Sequence, residues 1–149
     1  MKILIVDDNR DFCSTLADVV RTQGWEAEVR NSPEAALAFL NTHNRDVGLM
    51  LLDIEFGSES KMTGIDVLSQ SVRSYPSIPI IMISGKGTIE TAVKATKLGA
   101  LKMTIDNRIE SAKKTGRKNN AQKQYEYDAP RLAFDRLYEF VRERQKGGR

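Results

Sequence analysis

The chain is poor in the residues that form disulfides and histidine-based metal sites. Its 149 residues include one cysteine, Cys13, and one histidine, His43. A single cysteine excludes a disulfide within the chain and is typical of a reducing compartment. A single histidine argues against a metal centre built from imidazole ligands. We therefore expect a cytoplasmic protein whose functional site uses other side chains.

Long apolar runs and targeting patterns are also missing from the sequence. No run approaches the roughly 20 apolar residues that a membrane-spanning helix needs. The first residues lead directly into a strand pattern, without the charged, apolar and small-residue regions of a signal peptide. We expect no membrane partner. With 149 residues, the chain fits a single domain over 1–149 with a core large enough to fold alone.

The net charge of +3 is spread unevenly along the chain. Residues 101–124 contain seven basic and two acidic side chains, a local net charge of +5, which leaves −2 for the remainder. A charge-rich stretch of this kind is most often a solvated surface. No aromatic or groove-reading motif accompanies the lysines, so nucleic-acid binding by this domain is not expected.

The first hundred residues alternate between strand and helix patterns. The strand patterns cover residues 2–7, 25–29, 47–53 and 78–84, and the helix patterns begin near residues 10, 33, 64 and 88. Alternation at this short spacing indicates parallel βα units. The strand patterns are continuous apolar runs, which predicts strands covered by helices on both faces of the sheet.

Acids and a hydroxyl stand where three of these strands end: Asp7-Asp8, Asp53 and Ser84, the last followed by Gly85. Right-handed crossovers bring the ends of parallel strands to one edge of a sheet. Three ionised carboxylates repel each other unless a cation joins them, and Mg²⁺ suits oxygen ligands and bridges to phosphate. Asp53 is then a candidate nucleophile for a phosphoryl group, which Ser84 can hydrogen-bond and Gly85 leaves room for. Taken singly, such residues also serve as turns and helix caps.

Four segments resemble the receiver domain of two-component response regulators: KILIVDDN, LMLLDI, GIDVL and PIIMISGKGTIETAVKATKLGA. The last is most similar to receivers of bacterial enhancer-binding transcription activators. The resemblance covers residues 2 to about 100 and implies a flavodoxin-like, doubly wound, five-stranded parallel α/β sheet. It also implies a histidine kinase or phosphotransfer protein as phosphodonor, and a downstream protein partner.

The resemblance further implies a role for each residue at the strand ends. Asp53 is the expected phosphoacceptor and, with Asp8, a direct Mg²⁺ ligand, while Asp7 acts on the metal through water. The backbone carbonyl of Glu55 is a further metal ligand, Ser84 the switch hydroxyl, and Gly85 part of the phosphoryl pocket. The chemistry is self-phosphorylation from a phosphodonor and self-dephosphorylation, so no enzyme acting on outside substrates is expected.

The chain departs from the family in the loop between Asp53 and Gly64. That loop is longer than in the family and lacks its Met-Pro pair. We expect the change to affect recognition by the kinase more than metal binding.

A second departure concerns strand five, which in the family ends in a Lys-Pro pair. A strand at 101–105 is followed by Asp106, and one at 125–128 by Ala129-Pro130. We favour the second register because it recovers the proline and the last helix. Residues 101–124 are then a basic insertion before the last strand, in which helix four extends to about residue 114. Its apolar stripe is expected to pack on the domain, form a homodimer or dock a partner.

Neither register supplies the switch lysine. Losing this charge-assisted contact to the phosphoryl group would cost the activated state about 1.5–3 kcal/mol. A phosphorylation-independent pseudo-receiver, acting as a protein-interaction module, is therefore the main alternative. A magnesium-dependent phosphohydrolase of the haloacid dehalogenase type is disfavoured, because Asp7-Asp8-Asn9 lacks the Asp-x-Asp spacing.

Overall fold

Strands and helices alternate along the whole described part of this computed structural model, which comprises residues 1–84, 89–100 and 102–105. The strands are β1 (Lys2–Val6), β2 (Glu26–Arg30), β3 (Val47–Asp53), β4 (Ile80–Ser84) and β5 (Lys102–Ile105). The helices are α1 (Arg10–Thr22), α2 (Pro33–His43), α3 (Gly64–Ser74) and α4 (Ile89–Leu98), with a short 3-10 turn at Asn44–Asp46. All strand pairs are parallel, in the order β2-β1-β3-β4-β5. The predicted doubly wound α/β fold is confirmed.

The core lies on both faces of the sheet, because neighbouring residues of a strand point to opposite sides. On one face, Leu4, Met50 and Met82 pack with residues of α2, α3 and α4. On the other face, Ile5 and Leu51 pack with the buried side of α1. The continuous apolar runs of the sequence thus supply two cores, as strands buried on both sides require.

Side-chain caps fix where the helices begin. The Asn9 side chain accepts a hydrogen bond from the Phe12 N–H at the start of α1, and Ser32 accepts one from Ala35 at the start of α2. At α3, Thr63 and Asp66 form a reciprocal capping box that the sequence analysis did not identify. Such caps satisfy backbone N–H groups that have no partner within the helix.

The fifth strand occupies the register that the sequence analysis did not favour. Helix α4 ends at Leu98, and β5 pairs with Ile81–Ser84 of β4. Gly99 has φ +105°, its N–H donates to the Thr96 carbonyl, and the Ala100 N–H donates to Ala95. This is a Schellman motif, in which a glycine in the left-handed region ends the helix.

The prediction that helix four extends to about residue 114 is therefore wrong, as is the preference for 125–128 as strand five. The apolar residues Leu101, Met103 and Ile105 alternate with polar ones, a pattern that fits a strand as well as a continued helix. Residues 106–124 of the predicted insertion, and residues 125–128, lie outside the described residues. No helix among the described ranges has the length and apolar character that a bilayer crossing requires.

The hydroxyl of Ser71 is buried on α3. The residue is 1% exposed, and its Oγ has no hydrogen-bond partner among the described residues. Replacing Ser71 with alanine removes a buried polar group and improves helix propensity, so we expect the free energy of unfolding to rise by about 1 kcal/mol. Urea unfolding measures it. Ser74→Ala, on the exposed side of α3, is the control and should change stability by only a few tenths of a kcal/mol. A less stable Ser71 variant would contradict the expectation.

Candidate functional site

Three carboxylates meet at the carboxyl edge of the sheet. Asp7 and Asp8 follow β1, and Asp53 is the last residue of the neighbouring strand β3. One carboxylate oxygen from each of the three lies within 4.8 Å of the others. Asp7 is only 9% exposed, whereas Asp8 is open to solvent. The strand ends in the sequence predict this convergence.

Burial and mutual repulsion make the two inner acids difficult to ionise. Burial, followed by the charge of Asp7, raises the pKa of the Asp53 carboxyl to about 8, although the backbone N–H groups of Ile54 and Glu55 oppose the shift. Burial raises the pKa of Asp7 to about 6, with the Asn9 N–H opposing the shift and Asp8 adding to it. A dication would neutralise the repulsion that adds to the effect of burial on both pKa values. The oxygen-only donor set fits a hard ion such as Mg²⁺.

The long loop after Asp53 follows a defined path over the site. The Gly57 N–H donates to Asp8 Oδ2 at 2.7 Å, and Ser60 Oγ lies 3.1 Å from Glu34 Oε1 in the first turn of α2. Phe56 and Met62 pack against the core at either end of the loop. The loop is therefore attached both to the acid cluster and to α2, and sequence reasoning predicted neither contact.

Gly64 fixes the start of α3 against the backbone of Asp53. Its N–H donates to the Ile54 carbonyl at 2.8 Å. A Cβ atom at Gly64 would lie 1.8 Å from the Asp53 carbonyl oxygen, a distance that backbone atoms do not tolerate. The preceding loop is long, yet Gly64 still approaches the end of β3 this closely. Within the loop, the Ser60 N–H donates to the Gly57 carbonyl and closes a turn.

The backbone of Asp7 is held from several directions. Its N–H donates to the Arg30 carbonyl at 3.2 Å, one step beyond the last β1–β2 pair. Its carbonyl accepts hydrogen bonds from Asn31 Nδ2 at 2.8 Å and from Cys13 Sγ at 3.3 Å. Its side-chain Oδ1 accepts from the Asn9 N–H at 2.8 Å.

No contact of Asn31 was predicted from the sequence. Its place two residues after the strand pattern at 25–29 was the signal that put it at the same edge of the sheet as the acids. Cys13 acts here as a neutral donor, since burial and nearby acids raise the pKa of its thiol to about 12.

The remaining predicted residues occupy different positions. Ser84 ends β4, next to β3 in the sheet, and is 3% exposed. Glu55 follows Asp53 by two residues and is exposed. Gly85 lies outside the described residues. The structure therefore groups Asp7, Asp8 and Asp53 and places Ser84 at the end of the adjoining strand.

Comparison with known families agrees with this geometry. The sequence model described as the response regulator receiver domain matches residues 3–105. That range begins within β1 and ends with the last residue of β5, so it includes all five strands and the acid cluster.

Similar proteins include a putative NtrX-like response regulator of Rickettsia bellii, 39% identical over 66% of this chain and 20% of that protein. The response regulator TodT of Pseudomonas putida is 40% identical over 66% of this chain and 41% of its own length. The chain therefore spans less than half of these relatives. The crystal structure of the NtrX receiver domain from Brucella abortus has a TM-score of 0.63 and 30% identity, covering 79% of this chain and 99% of that one.

Proposed function

The chain belongs to the response regulator receiver domain family, and we propose that it accepts a phosphoryl group on Asp53 with the help of Mg²⁺ and signals to a protein partner. The observation that carries the proposal is the convergence of three carboxylate oxygens within 4.8 Å at the ends of β1 and β3. Grouping three acids in this way is unfavourable by itself, because burial and repulsion oppose their ionisation. A site that binds a cation and a phosphoryl group uses the three carboxylates together.

Each residue has a defined part in the proposed transfer. Asp8 and Asp53 would hold Mg²⁺ directly, Glu55 would contribute its backbone carbonyl, and Asp7 would act through water. Bound Mg²⁺ supplies positive charge that lowers the pKa of the cluster and neutralises phosphoryl oxygens.

An Asp53 carboxylate oxygen attacks the phosphorus of the donor and forms a new O–P bond. The bond from phosphorus to the leaving group breaks, and the leaving group retains its electron pair. The Ser84 hydroxyl would donate a hydrogen bond to a phosphoryl oxygen, and Gly85 is assigned to the phosphoryl pocket by the family resemblance alone.

The proposed partners follow from the family and from the chain's position within its relatives. A histidine kinase or phosphotransfer protein would supply the phosphoryl group, and a downstream protein or output domain would respond to it. The chain covers only 20–41% of the relatives described above. The response of an output domain or partner to phosphorylation is therefore part of what we propose. Self-phosphorylation and self-dephosphorylation in the cytoplasm would be its only reactions.

One observation favours the second candidate, a phosphorylation-independent pseudo-receiver that serves as an interaction module. Strand β5 ends at Ile105, and the next residue in the sequence is Asp106, where the family has its lysine. An acid cannot make the charge-assisted hydrogen bond that a lysine makes to a phosphoryl group. The acid cluster would then persist without a coupled switch.

Intact-protein mass spectrometry after incubation with acetyl phosphate and Mg²⁺ tests the proposal. We expect a gain of one phosphoryl group, which Asp53→Asn abolishes because an amide is not a nucleophile for phosphorus. Asp46→Asn, an exposed acid in the turn before β3, should leave the gain unchanged. If the wild-type protein gains no mass while a known receiver is labelled in parallel, the pseudo-receiver is the better description.

A further inference from the structure

Asn31 occupies the position where the β1–β2 ladder ends. The last strand pair is Val6 with Arg30, and the Asp7 N–H extends the ladder by one bond to the Arg30 carbonyl. Beyond that point the backbone of β2 turns into α2, whose N-cap is Ser32. The Asn31 side chain continues the pairing by donating from Nδ2 to the Asp7 carbonyl at 2.8 Å.

The chemistry of the contact fixes how the amide is oriented. A carbonyl oxygen only accepts, so the nitrogen of the Asn31 amide must face Asp7. The same nitrogen lies 3.6 Å from Cys13 Sγ, and Cys13 in turn donates to the Asp7 carbonyl. Asn31 and Cys13 therefore hold one carbonyl from two sides, the segment directly after β2 and helix α1. Without them, this acceptor next to a largely buried acid would lose its partners.

We propose that Asn31 is a positioning residue for the acid cluster: it fixes the Asp7–Asp8 backbone so that both carboxylates meet Asp53 in the geometry a metal ion needs. The inference rests on the proposed function and extends it to a residue that is not itself a ligand. Mg²⁺ accepts little departure from octahedral geometry at short distances. A shift of the peptide between Asp7 and Asp8 moves two of the three acids at once.

Asn31→Ala is expected to weaken the affinity of the folded protein for Mg²⁺ by about tenfold or more, as deletions of supporting hydrogen bonds around metal ligands do. Calorimetric titration with Mg²⁺ alone, well below the unfolding temperature, measures this without phosphorylation. The carbonyl carbon resonance of Asp7 in the metal-free protein should also shift, because its hydrogen bond is lost. Cys13→Ala removes the longer of the two hydrogen bonds to the Asp7 carbonyl and should weaken Mg²⁺ binding less than Asn31→Ala does.

The control is Asn41→Ala, which deletes another asparagine amide with a cross-element hydrogen bond. Asn41 Oδ1 accepts from the Tyr75 hydroxyl at 2.5 Å, between the end of α2 and the end of α3. This variant is expected to lose stability but to retain Mg²⁺ affinity and the Asp7 resonance.

Three outcomes would overturn the inference. If Asn31→Ala lowers the unfolding temperature but binds Mg²⁺ as tightly as wild type, Asn31 is structural only. If Asn31→Ala does not fold, unchanged Mg²⁺ affinity in Cys13→Ala excludes positioning through the Asp7 carbonyl. If the wild-type protein itself does not bind Mg²⁺, the inference and the metal-dependent function fall together, whereas the first two outcomes leave the proposed function intact.

Discussion

Replacing Gly64 with alanine is expected to lower the free energy of unfolding by about 3 kcal/mol or more. The added Cβ would lie 1.8 Å from the Asp53 carbonyl oxygen and 2.8 Å from the Ile54 Cα. Both obstacles are backbone atoms at the end of a central strand, so no side chain can rotate away to make room. Either α3 moves off the sheet or the end of β3 is displaced.

The same substitution should weaken Mg²⁺ binding, because the displaced carbonyl belongs to Asp53 itself. Urea unfolding followed by the fluorescence of Trp25, the only tryptophan, gives the stability, and calorimetry gives the affinity.

Gly24→Ala is the matched control. Gly24 has φ +79°, but a Cβ there meets nothing within 4 Å. It should cost only the strain of a left-handed residue, about 1 kcal/mol, and leave Mg²⁺ affinity unchanged. Equal losses from the two variants would contradict the packing argument.

Most of the site was predictable because it depends on strand ends. The run from Val47 to Asp53 was predicted with its observed bounds, and the acids after β1 follow from its first apolar run. Right-handed crossovers between parallel strands place the carboxyl ends of the strands at the same edge of the sheet. Sequence reasoning therefore succeeded where a residue's position is fixed by its place in a strand.

Sequence reasoning failed where the choice between two structures depended on tertiary contacts. Ile105 fits a continued helix as well as a strand, and the left-handed conformation of Gly99 ends the helix before it. The contacts of Gly57 with Asp8 and of Asn31 with Asp7 join residues 49 and 24 positions apart. Neither follows from local periodicity, because each depends on how a loop or strand end meets its neighbour in the sheet.

Without metal, the protein is expected to lose stability as the pH rises from about 4 to about 8. The pKa of Asp53 is raised from 3.8 to about 8 and that of Asp7 from 3.8 to about 6, mainly by burial. A carboxyl whose pKa is higher in the folded state binds its proton more tightly there than in the unfolded chain. Its contribution is therefore complete below pH 4 and is lost as the pH rises through the folded-state pKa. At about 1.4 kcal/mol per pKa unit, we expect the two shifts together to correspond to a loss of several kcal/mol over this interval.

Bound Mg²⁺ should oppose this loss of stability at high pH. Mg²⁺ binds the ionised carboxylates, so its stabilising effect grows as the pH rises. At pH 8 and a concentration of 100 times Kd, it should restore about 2.7 kcal/mol, and at pH 5 considerably less. Urea unfolding at several pH values, with EDTA or with Mg²⁺, measures both effects.

Asp53→Asn separates the cluster from other titrating groups. The amide cannot ionise, so the metal-free variant should be more stable than wild type at pH 8 and should lose most of the dependence between pH 4 and 8. Asp66 does not interfere, because hydrogen bonds from Thr63 lower its pKa and its titration falls below this interval. If metal-free stability were constant or rose from pH 4 to 8, and Asp53→Asn left the profile unchanged, the three carboxylates would not share one repulsive site. The arrangement proposed to hold Mg²⁺ and the phosphoryl group would then lose its electrostatic basis.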